Sequence, residues 1–599
     1  MTQLISDRRD VDFVLHEQIK VADLCRHDVF SEFNKKTIDM IVTEARNLAI
    51  KAILPLQKIS DAGCEFNNGV VKVPEEFHPV YKLYCEGEWS AMCDTPEWGG
   101  QGMPHVVAAA ANEFFYGACN SFMLYTMLTH GAAKLLETIG TEQQKAQCLK
   151  NLFSGKWGGT MLLTEPMAGS DVGALTTVAI PRGDGTYSIK GDKIFISSGE
   201  SNLVENIIHP TLARIEGAPE GTRGISLFIV PKFRINDDGS LGEFNNVVCT
   251  GIEEKMGLHG NATCSLNLGG KGETIGTLIG AEHKGMSAMF LMMNEARQMV
   301  GLQGFANASC SYMYALGYAR DRIQSKGLTD PPGSAPVSII HHPDVRRMLM
   351  TMRAYVNGMR SLVYYANYLF DLAATAQTDE EKAGHRAMID IFTPIVKGFI
   401  TDKAFEVCSL GVQIYGGYGF IEEFPVAQLL RDCRIFQIYE GTNGIQSIDL
   451  LSRKMEMNGG KPYQALLDLM KKTLAEAKAT KGLGDMAANF EAVYNRYRDV
   501  ADTILELAAS DKVLNAYAFS HPFLEVTGDV AVAWMLLWRA VVAAPQCSEK
   551  GKDQDFYQGQ VKVAQFFINA ILPATNGRLD AISRADGAAI EMPDAGFGL

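Results

Sequence analysis

Apolar residues recur every three or four positions through Phe33-Asn-Lys-Lys-Thr-Ile-Asp-Met-Ile-Val-Thr-Glu-Ala-Arg-Asn-Leu-Ala49, and again from Val106 to Ile139. That spacing predicts amphipathic helices over most of the first 159 residues. Trp98-Gly-Gly-Gln-Gly102 and Pro104 interrupt them with a loop. Near Thr160 the period changes. Tyr187-Ser-Ile-Lys190, Lys193-Ile-Phe-Ile-Ser197 and Gly224-Ile-Ser-Leu-Phe-Ile-Val-Pro231 are short, apolar and bounded by glycines, as strands are. Helical spacing returns at Gly285 and passes Lys454. A Pro/Gly loop at Lys326–Pro336 and a second break at Asn458-Gly-Gly-Lys-Pro462 punctuate it.

The pattern predicts an α+β multidomain chain: an N-terminal helical domain (1–159), a central β-barrel or sandwich domain (160–280), a C-terminal four-helix bundle (281–457) and an additional helical domain (458–599). The apolar stretch Val530–Ala544 contains Arg539 and is shorter than the ~20 residues of a membrane span. It reads as a buried helix, with membrane contact through Trp534 and Trp538 the lesser alternative.

Composition narrows the functional classes. The 599 residues are 47 % hydrophobic and 21 % charged, with a net charge of −14, which suits a folded protein and argues against a nucleic-acid partner. The last block, 456–599, carries 14 Lys and Arg against 18 Asp and Glu, so it offers no basic face. Twelve cysteines are scattered without a Cys-x-x-Cys pair. They read as reduced thiols, and no metal site is expected. The first ten residues lack an apolar signal core, which makes the cytoplasm the expected compartment.

Candidate chemistry centres on Arg431-Asp-Cys-Arg-Ile-Phe-Gln-Ile-Tyr-Glu-Gly-Thr-Asn-Gly-Ile-Gln446. Glu440 ends an apolar run beside a glycine. There it is either a base with a raised pKa or a surface residue where a helix stops at Gly441. Three more segments are ambiguous alone. Thr164-Glu-Pro-Met-Ala-Gly-Ser-Asp171 is a tight turn or a backbone cradle. Phe195-Ile-Ser-Ser-Gly199 is a strand end or a cover for a planar ring. Val412-Gln-Ile-Tyr-Gly-Gly-Tyr-Gly-Phe420 is a helix cap or a phosphate wrap. No Gly-x-Gly-x-x-Gly fingerprint is present; Gly482-Leu-Gly-Asp-Met-Ala487 is a loose variant after a Lys-rich helical segment.

The order and spacing of these segments over residues 35 to 455 resemble the acyl-CoA dehydrogenase family. The length, the segment His341-His-Pro-Asp-Val-Arg-Arg-Met-Leu-Met350 and the C-terminal block resemble its long form, the subgroup that includes 3-methylthiopropionyl-CoA dehydrogenases. The resemblance implies FAD as cofactor and an acyl-CoA substrate, with electron-transfer flavoprotein as acceptor and a homodimer. An acyl-CoA oxidase-like enzyme and a non-dehydrogenase flavin-bearing relative are the alternatives. It assigns Glu440 as the base and Tyr439, Ser170, Asn294 and Arg297 as substrate contacts. Met161, Leu163, Thr164, Gly169, Ser170, Phe195, Ser197, Arg322, Gln413, Gly417, Thr442 and Gly444 fall on FAD. Phe195 stands where the family usually has Trp, Ser325 where many members have Phe, and Gly444 where a side chain usually bonds FAD. Some members carry the base immediately before the helix Arg. Here that position is Ala296, and the rival Glu295 lies about 100° around the helix.

Overall fold

In a computed structural model, residues 4–548 and 551–598 are described. They form two compact units. One comprises Met1–Ile38, His105–Glu113 and Val300–Leu599; the other Asp39–Pro104 and Phe114–Met299. The N-terminal helical stretch is thus shared between the units, a division that its uniform 3.6-residue period does not reveal.

The second unit is built on an eight-stranded sheet. Val178–Pro181 pairs with Thr186–Ser197 on one side and with Ile207–Ile215 on the other. Ile207–Ile215 continues through Ile225–Pro231 and Thr274–Leu278 back to Thr186–Ser197. Five strands therefore close on themselves, leaving no open edge among them. Thr263–Leu268 and Val247–Ile252 extend the sheet beyond this ring. In Thr263–Leu268 every second residue (Cys264, Leu266, Leu268) is buried, as the period of two requires of a strand with one face on a core. The two short strand segments expected at 187–190 and 193–197 are one twelve-residue strand. The apolar run Val106–Ile139 is two helices, His105–Ala118 and Asn120–Ile139, broken where Cys119 is extended. The Asn120 side-chain amide donates to Tyr116 O, satisfying a carbonyl that the break leaves without its helical partner.

The first unit is helical. The last part of Gly285–Asp321 belongs to it with Pro343–Thr375, Asp379–Pro394 and Ile400–Tyr415, and Gly304 faces Thr401 and Ala404 of the last of these. Between the last two, Pro394 is followed by a single π turn, Ile395–Phe399. A proline lacks the N–H of a continuous helix, and a π turn is a common way to continue past it. The C-terminal block adds Lys461–Ala479, Gly484–Ala508, Ser520–Ala543, Gln554–Phe566 and Leu572–Arg584. Gly484 thus opens a helix after a helix, with no strand before it, so the loose glycine motif there lacks the context of a dinucleotide site.

Helix Ser520–Ala543 is the centre of that block. With the turn that follows it, it is long and apolar enough to cross a membrane by length and composition, so the length argument made from the apolar stretch does not hold. Burial decides instead: 83 % of its apolar window lies inside the fold. Gly528 admits the Phe399 ring where a Cβ would sit 2.0 Å from it, and Gly358 admits Val532 in the same way. Arg539 is fully buried against Asp10 and Gln560. Arg360 joins the same cluster, pairing with Asp10 and with Glu113 at 2.6 Å, while Tyr364 donates to Glu113 at 2.6 Å. Burial pushes the Asp10 carboxyl up, but the two guanidiniums outweigh it and hold it below the usual range. The cluster ties the N-terminal segment to both the bundle and the C-terminal block. None of the twelve cysteines is joined in a disulfide.

Candidate active site

In the sheet unit the expected cofactor residues meet around one turn. Residues 158–162 run parallel beside Ile207–Ile215, with Leu162 N–H donating to Pro210 O at 2.9 Å. The chain then turns at Glu165–Ala168, and Ile194 N–H donates to Thr164 O at 3.0 Å. This bond sets Thr164 beside the end of the strand carrying Phe195 and Ser197. Beneath it lies a buried ion pair. Lys193 Nζ donates to Glu165 Oε1 (2.8 Å), Leu163 O (3.2 Å) and Leu212 O (2.9 Å), so all three of its protons are used. Glu165 also accepts from the backbone N–H and hydroxyl of both Thr176 and Thr177. Burial pushes the Glu165 carboxyl up, but Lys193 and the threonine hydrogen bonds overcome it and bring it down to about 2. Burial lowers the Lys193 ammonium to about 8, with Glu165 opposing.

Above this pair the surface is open. Gly169 and Ser170 are exposed, Met161, Thr164 and Ser197 half-buried and Leu163 buried. Phe195 is 58 % exposed with a φ of 57°. The cause is a bulge: Ile196 pairs with Cys264 and Lys193 with Leu266, so Ile194 and Phe195 together oppose Ser265. A bulge re-aims a side chain, and a bulky residue in the left-handed region is a true outlier.

Two of the expected substrate residues, Asn294 and Arg297, lie on helix Gly285–Asp321. Asn294 is half-buried; Arg297 is buried, with its guanidinium 5.9 Å from the Phe290 ring centroid. The rival carboxylate Glu295 is bonded to His130 Nε2 at 2.8 Å, and the other nitrogen of that ring lies 3.1 Å from buried Asp94. Burial pulls the His130 imidazolium down, but the two carboxylates outweigh it and hold it charged.

In the helical unit, helix Pro425–Cys433 ends in a 3₁₀ turn, Arg434–Gln437, and the next helix starts at Asn443. Glu440 therefore sits in a turn between helices, not at the stop of one. Its φ is 58° and that of Gly441 is 83°, two left-handed residues in succession. For the glutamate this costs roughly 1–2 kcal/mol, a strain that persists only where surroundings impose it. Those surroundings are amides. Asn443 Nδ2 lies within 2.8–2.9 Å of Gly398 O, Thr401 Oγ1 and Asp402 Oδ1, and Asn443 Oδ1 accepts from Lys397 Nζ at 2.8 Å. Gln437 Nε2 donates to the same Asp402 oxygen at 2.6 Å. Thr442 caps the new helix, its hydroxyl oxygen accepting from Ile445 N–H at 3.2 Å, and exposed Gly444 follows in the first turn. Tyr439 stacks on Phe436 and donates to Gln303 Oε1 at 2.6 Å. Burial pushes the Tyr439 phenol well up, with Glu440 adding to it.

Arg322, Gln413 and Gly417 form a separate, exposed group. The Arg322 guanidinium lies 5.6 Å from the Tyr418 ring centroid. Gln413 is eleven residues beyond Asp402 on one helix, roughly 16 Å at 1.5 Å per residue. Lys193, Glu165, Gln303, Asp402 and Asn443 went unassigned in the sequence. Glu165 and Asn443 lie inside the quoted motifs, but their partners are distant in the chain and leave no local signal.

Family models cover most of the chain. Those described as the N-terminal, middle and C-terminal domains of acyl-CoA dehydrogenase match residues 35–156, 160–270 and 283–455. One described as acetyl-CoA dehydrogenase C-terminal like matches 466–593. The 3-methylmercaptopropionyl-CoA dehydrogenase of Ruegeria pomeroyi is 40 % identical over 566 residues, 94 % of this chain and 95 % of that one. A butyryl-CoA dehydrogenase of Syntrophomonas wolfei is 35 % identical over 98 % of both chains. A solved acyl-CoA dehydrogenase complexed with FAD from Bacillus anthracis shares the fold at a TM-score of 0.74 and 21 % identity, over 98 % of this chain and 94 % of that one.

Proposed function

The chain belongs to the acyl-CoA dehydrogenase family, and from that premise we propose that it desaturates a short acyl-CoA between Cα and Cβ with Glu440 as base. FAD is the cofactor, and when bound it supplies the hydride acceptor for the β hydrogen. The residues of each unit suit such a group. Phe195 offers an exposed ring, and Gly169, Gly416 and Gly417 have no atom within 4 Å of where a Cβ would stand.

The observation that carries the reading is the Glu440 turn. A half-buried glutamate with a left-handed backbone stands there in a turn whose flanks, Gln437 and Asn443, both bond Asp402, whereas Glu295 is already engaged by His130. An α C–H beside a thioester is a weak acid, so the developing enolate needs donors aimed at its oxygen. We assign the Glu440 backbone N–H to that oxygen. An acyl chain lying over the carboxylate displaces water from it, which favours its neutral form. Tyr439, fixed by Gln303 and Phe436, walls the acyl group; Arg297, Asn294 and Ser170 hold the rest of the substrate. The short chain is inferred from the two relatives, named for 3-methylmercaptopropionyl and butyryl groups. By family resemblance the electrons leave to electron-transfer flavoprotein. Arg322, Gln413 and Gly417 face the FAD of a second copy in a cytoplasmic homodimer.

Anaerobic bleaching of the flavin by a panel of acyl-CoAs tests this. Short linear chains bleach fastest. Glu440→Gln keeps its FAD and loses at least about 10³-fold in rate, near the upper range for a general base, while Glu295→Gln keeps most of its rate. The reverse result removes Glu440 from its role. Peroxide release in air at the bleaching rate assigns the enzyme to the oxidase-like alternative.

A further inference from the structure

We propose that the C-terminal block reaches into catalysis: His521, in the first turn of helix Ser520–Ala543, positions the Glu440 turn through Asp402. This rests on the assignment of Glu440 as base and names a positioning residue outside the dehydrogenase domains proper.

Asp402 is the hub of this contact. Its Oδ1 accepts from Gln437 Nε2 at 2.6 Å and from Asn443 Nδ2 at 2.8 Å. Those two residues stand three positions before and three after Glu440, so one carboxylate oxygen clamps both ends of the turn. The other oxygen, Oδ2, is bonded to His521 Nε2 at 3.1 Å. The clamp is thus oriented from the far side by a residue that matches the separate C-terminal model, 466–593.

Two further contacts place the same helix against the same turn. Ser520 Oγ lies 3.1 Å from Ser447 Oγ, in the helix that Asn443 begins. At Gly398 a Cβ would stand 2.6 Å from Leu524 and 3.3 Å from Gln446. The C-terminal block and the catalytic turn therefore meet at one glycine of the π turn, whose carbonyl accepts from Asn443.

The pair is electrostatically adjustable. The hydrogen bond to Asp402 raises His521 above its ordinary range; burial opposes this, and the Asp402 and Glu525 charges add to it while Lys403 subtracts. Lys403 is itself engaged by Glu406 and Glu525, and Arg578, on helix Leu572–Arg584, faces Glu525. His521 is 41 % exposed and Asp402 14 %. Deprotonation takes the charge out of the His521–Asp402 bond while the neutral ring can still donate from Nε2, so the clamp weakens without opening and the unit survives. A misplacement of the base by even a fraction of an ångström slows proton abstraction.

The test uses the FAD-loaded enzyme. His521→Leu is expected to lower kcat on the order of tenfold, with KM for acyl-CoA, FAD content and Tm near wild type. Hydrogen–deuterium exchange across 434–449 becomes faster. His521→Gln, which can still donate but carries no charge, brings kcat back to the level that wild type keeps on its alkaline side. It also removes an alkaline limb that wild-type kcat shows as His521 deprotonates. A leucine variant with wild-type kcat and exchange overturns the proposal, and so does one that loses kcat only in step with FAD and Tm. Where the leucine variant does not fold, the glutamine variant decides. Loss of the alkaline limb supports the assignment; a wild-type profile without that limb, or one that glutamine keeps, overturns it. A wild-type enzyme bleached by no acyl-CoA fails the parent reading instead, before any variant is made.

Discussion

The two turns that carry the site residues are built alike and held differently. Each presents a left-handed side chain, Phe195 in the sheet unit and Glu440 in the helical unit. Beneath Phe195 the support is an ion pair, Lys193 with Glu165, both essentially without solvent exposure. Beside Glu440 the support is one carboxylate, Asp402, bonded by the neutral amides of Gln437 and Asn443 and by His521, with the buried ammonium of Lys397 on the amide oxygen of Asn443. A buried ion pair fixes geometry rigidly, because losing one partner strands the other charge in a place it cannot be solvated. Removing one neutral amide from the second web costs hydrogen bonds but takes away no charge of its own. The contrast is between a turn set on a paired buried charge and a turn whose flanking amides share one carboxylate.

The largest effect should come from breaking the ion pair. Lys193→Met leaves Glu165 buried without its cation and is expected to destabilise the sheet unit by about 3–5 kcal/mol. Thermal unfolding and the FAD content of purified protein measure it. A variant that melts within a degree of wild type would remove the distinction between the turns. Asn443→Leu, of similar volume, should cost less, about 2–3 kcal/mol for its hydrogen bonds to Gly398, Thr401, Asp402 and Lys397. Its kcat should fall further than stability alone explains, because the turn loses its clamp. Equal losses of kcat in Asn443→Leu and in a core variant of matched stability would show that the web supports the fold and nothing more.

The candidate site residues could be named from the sequence because motif and chemistry coincide locally. Glu440, Tyr439, Thr442 and Phe195 lie within continuous segments whose order identifies the family. The helical and strand periods follow from burial on one face, and the sheet and bundle show them. What the sequence withholds is non-local. The strand Thr186–Ser197 bulges at Phe195 because Thr263–Leu268 pairs out of step with it, and no pattern within 186–197 reports that. Asp402 reads as one polar residue on an amphipathic helix until Gln437, Asn443 and His521 arrive from three other segments. The N-terminal 38 residues read as one more helical stretch. They join the helical unit because Asp10 meets Arg360 and Arg539, which lie 350 and 529 positions away.

The comparison extends to pH, where the two turns should weaken at opposite ends. Glu165 is held at about 2 against an ordinary value near 4.5. A depressed carboxyl contributes stability that is complete above its unfolded pKa and is lost as pH falls from about 4.5 toward 2. Glu165→Gln should therefore flatten part of the acid limb of the sheet unit, read as hydrogen exchange of 186–197 at pH 3 against pH 6. His521 is shifted the other way, raised above 6.5 by Asp402. Its contribution is complete below that value and is lost as pH rises through its folded pKa. Because the imidazole is 41 % exposed, the stability at stake is under about 1 kcal/mol. Urea unfolding of wild type and His521→Gln at pH 6 and pH 9 measures it. Convergence of the two proteins at pH 9 and a small wild-type advantage at pH 6 is the expected result. An advantage that instead grows at pH 9 would mean that the neutral imidazole is the stabilising form, and the Glu440 turn would then tighten where it is expected to loosen.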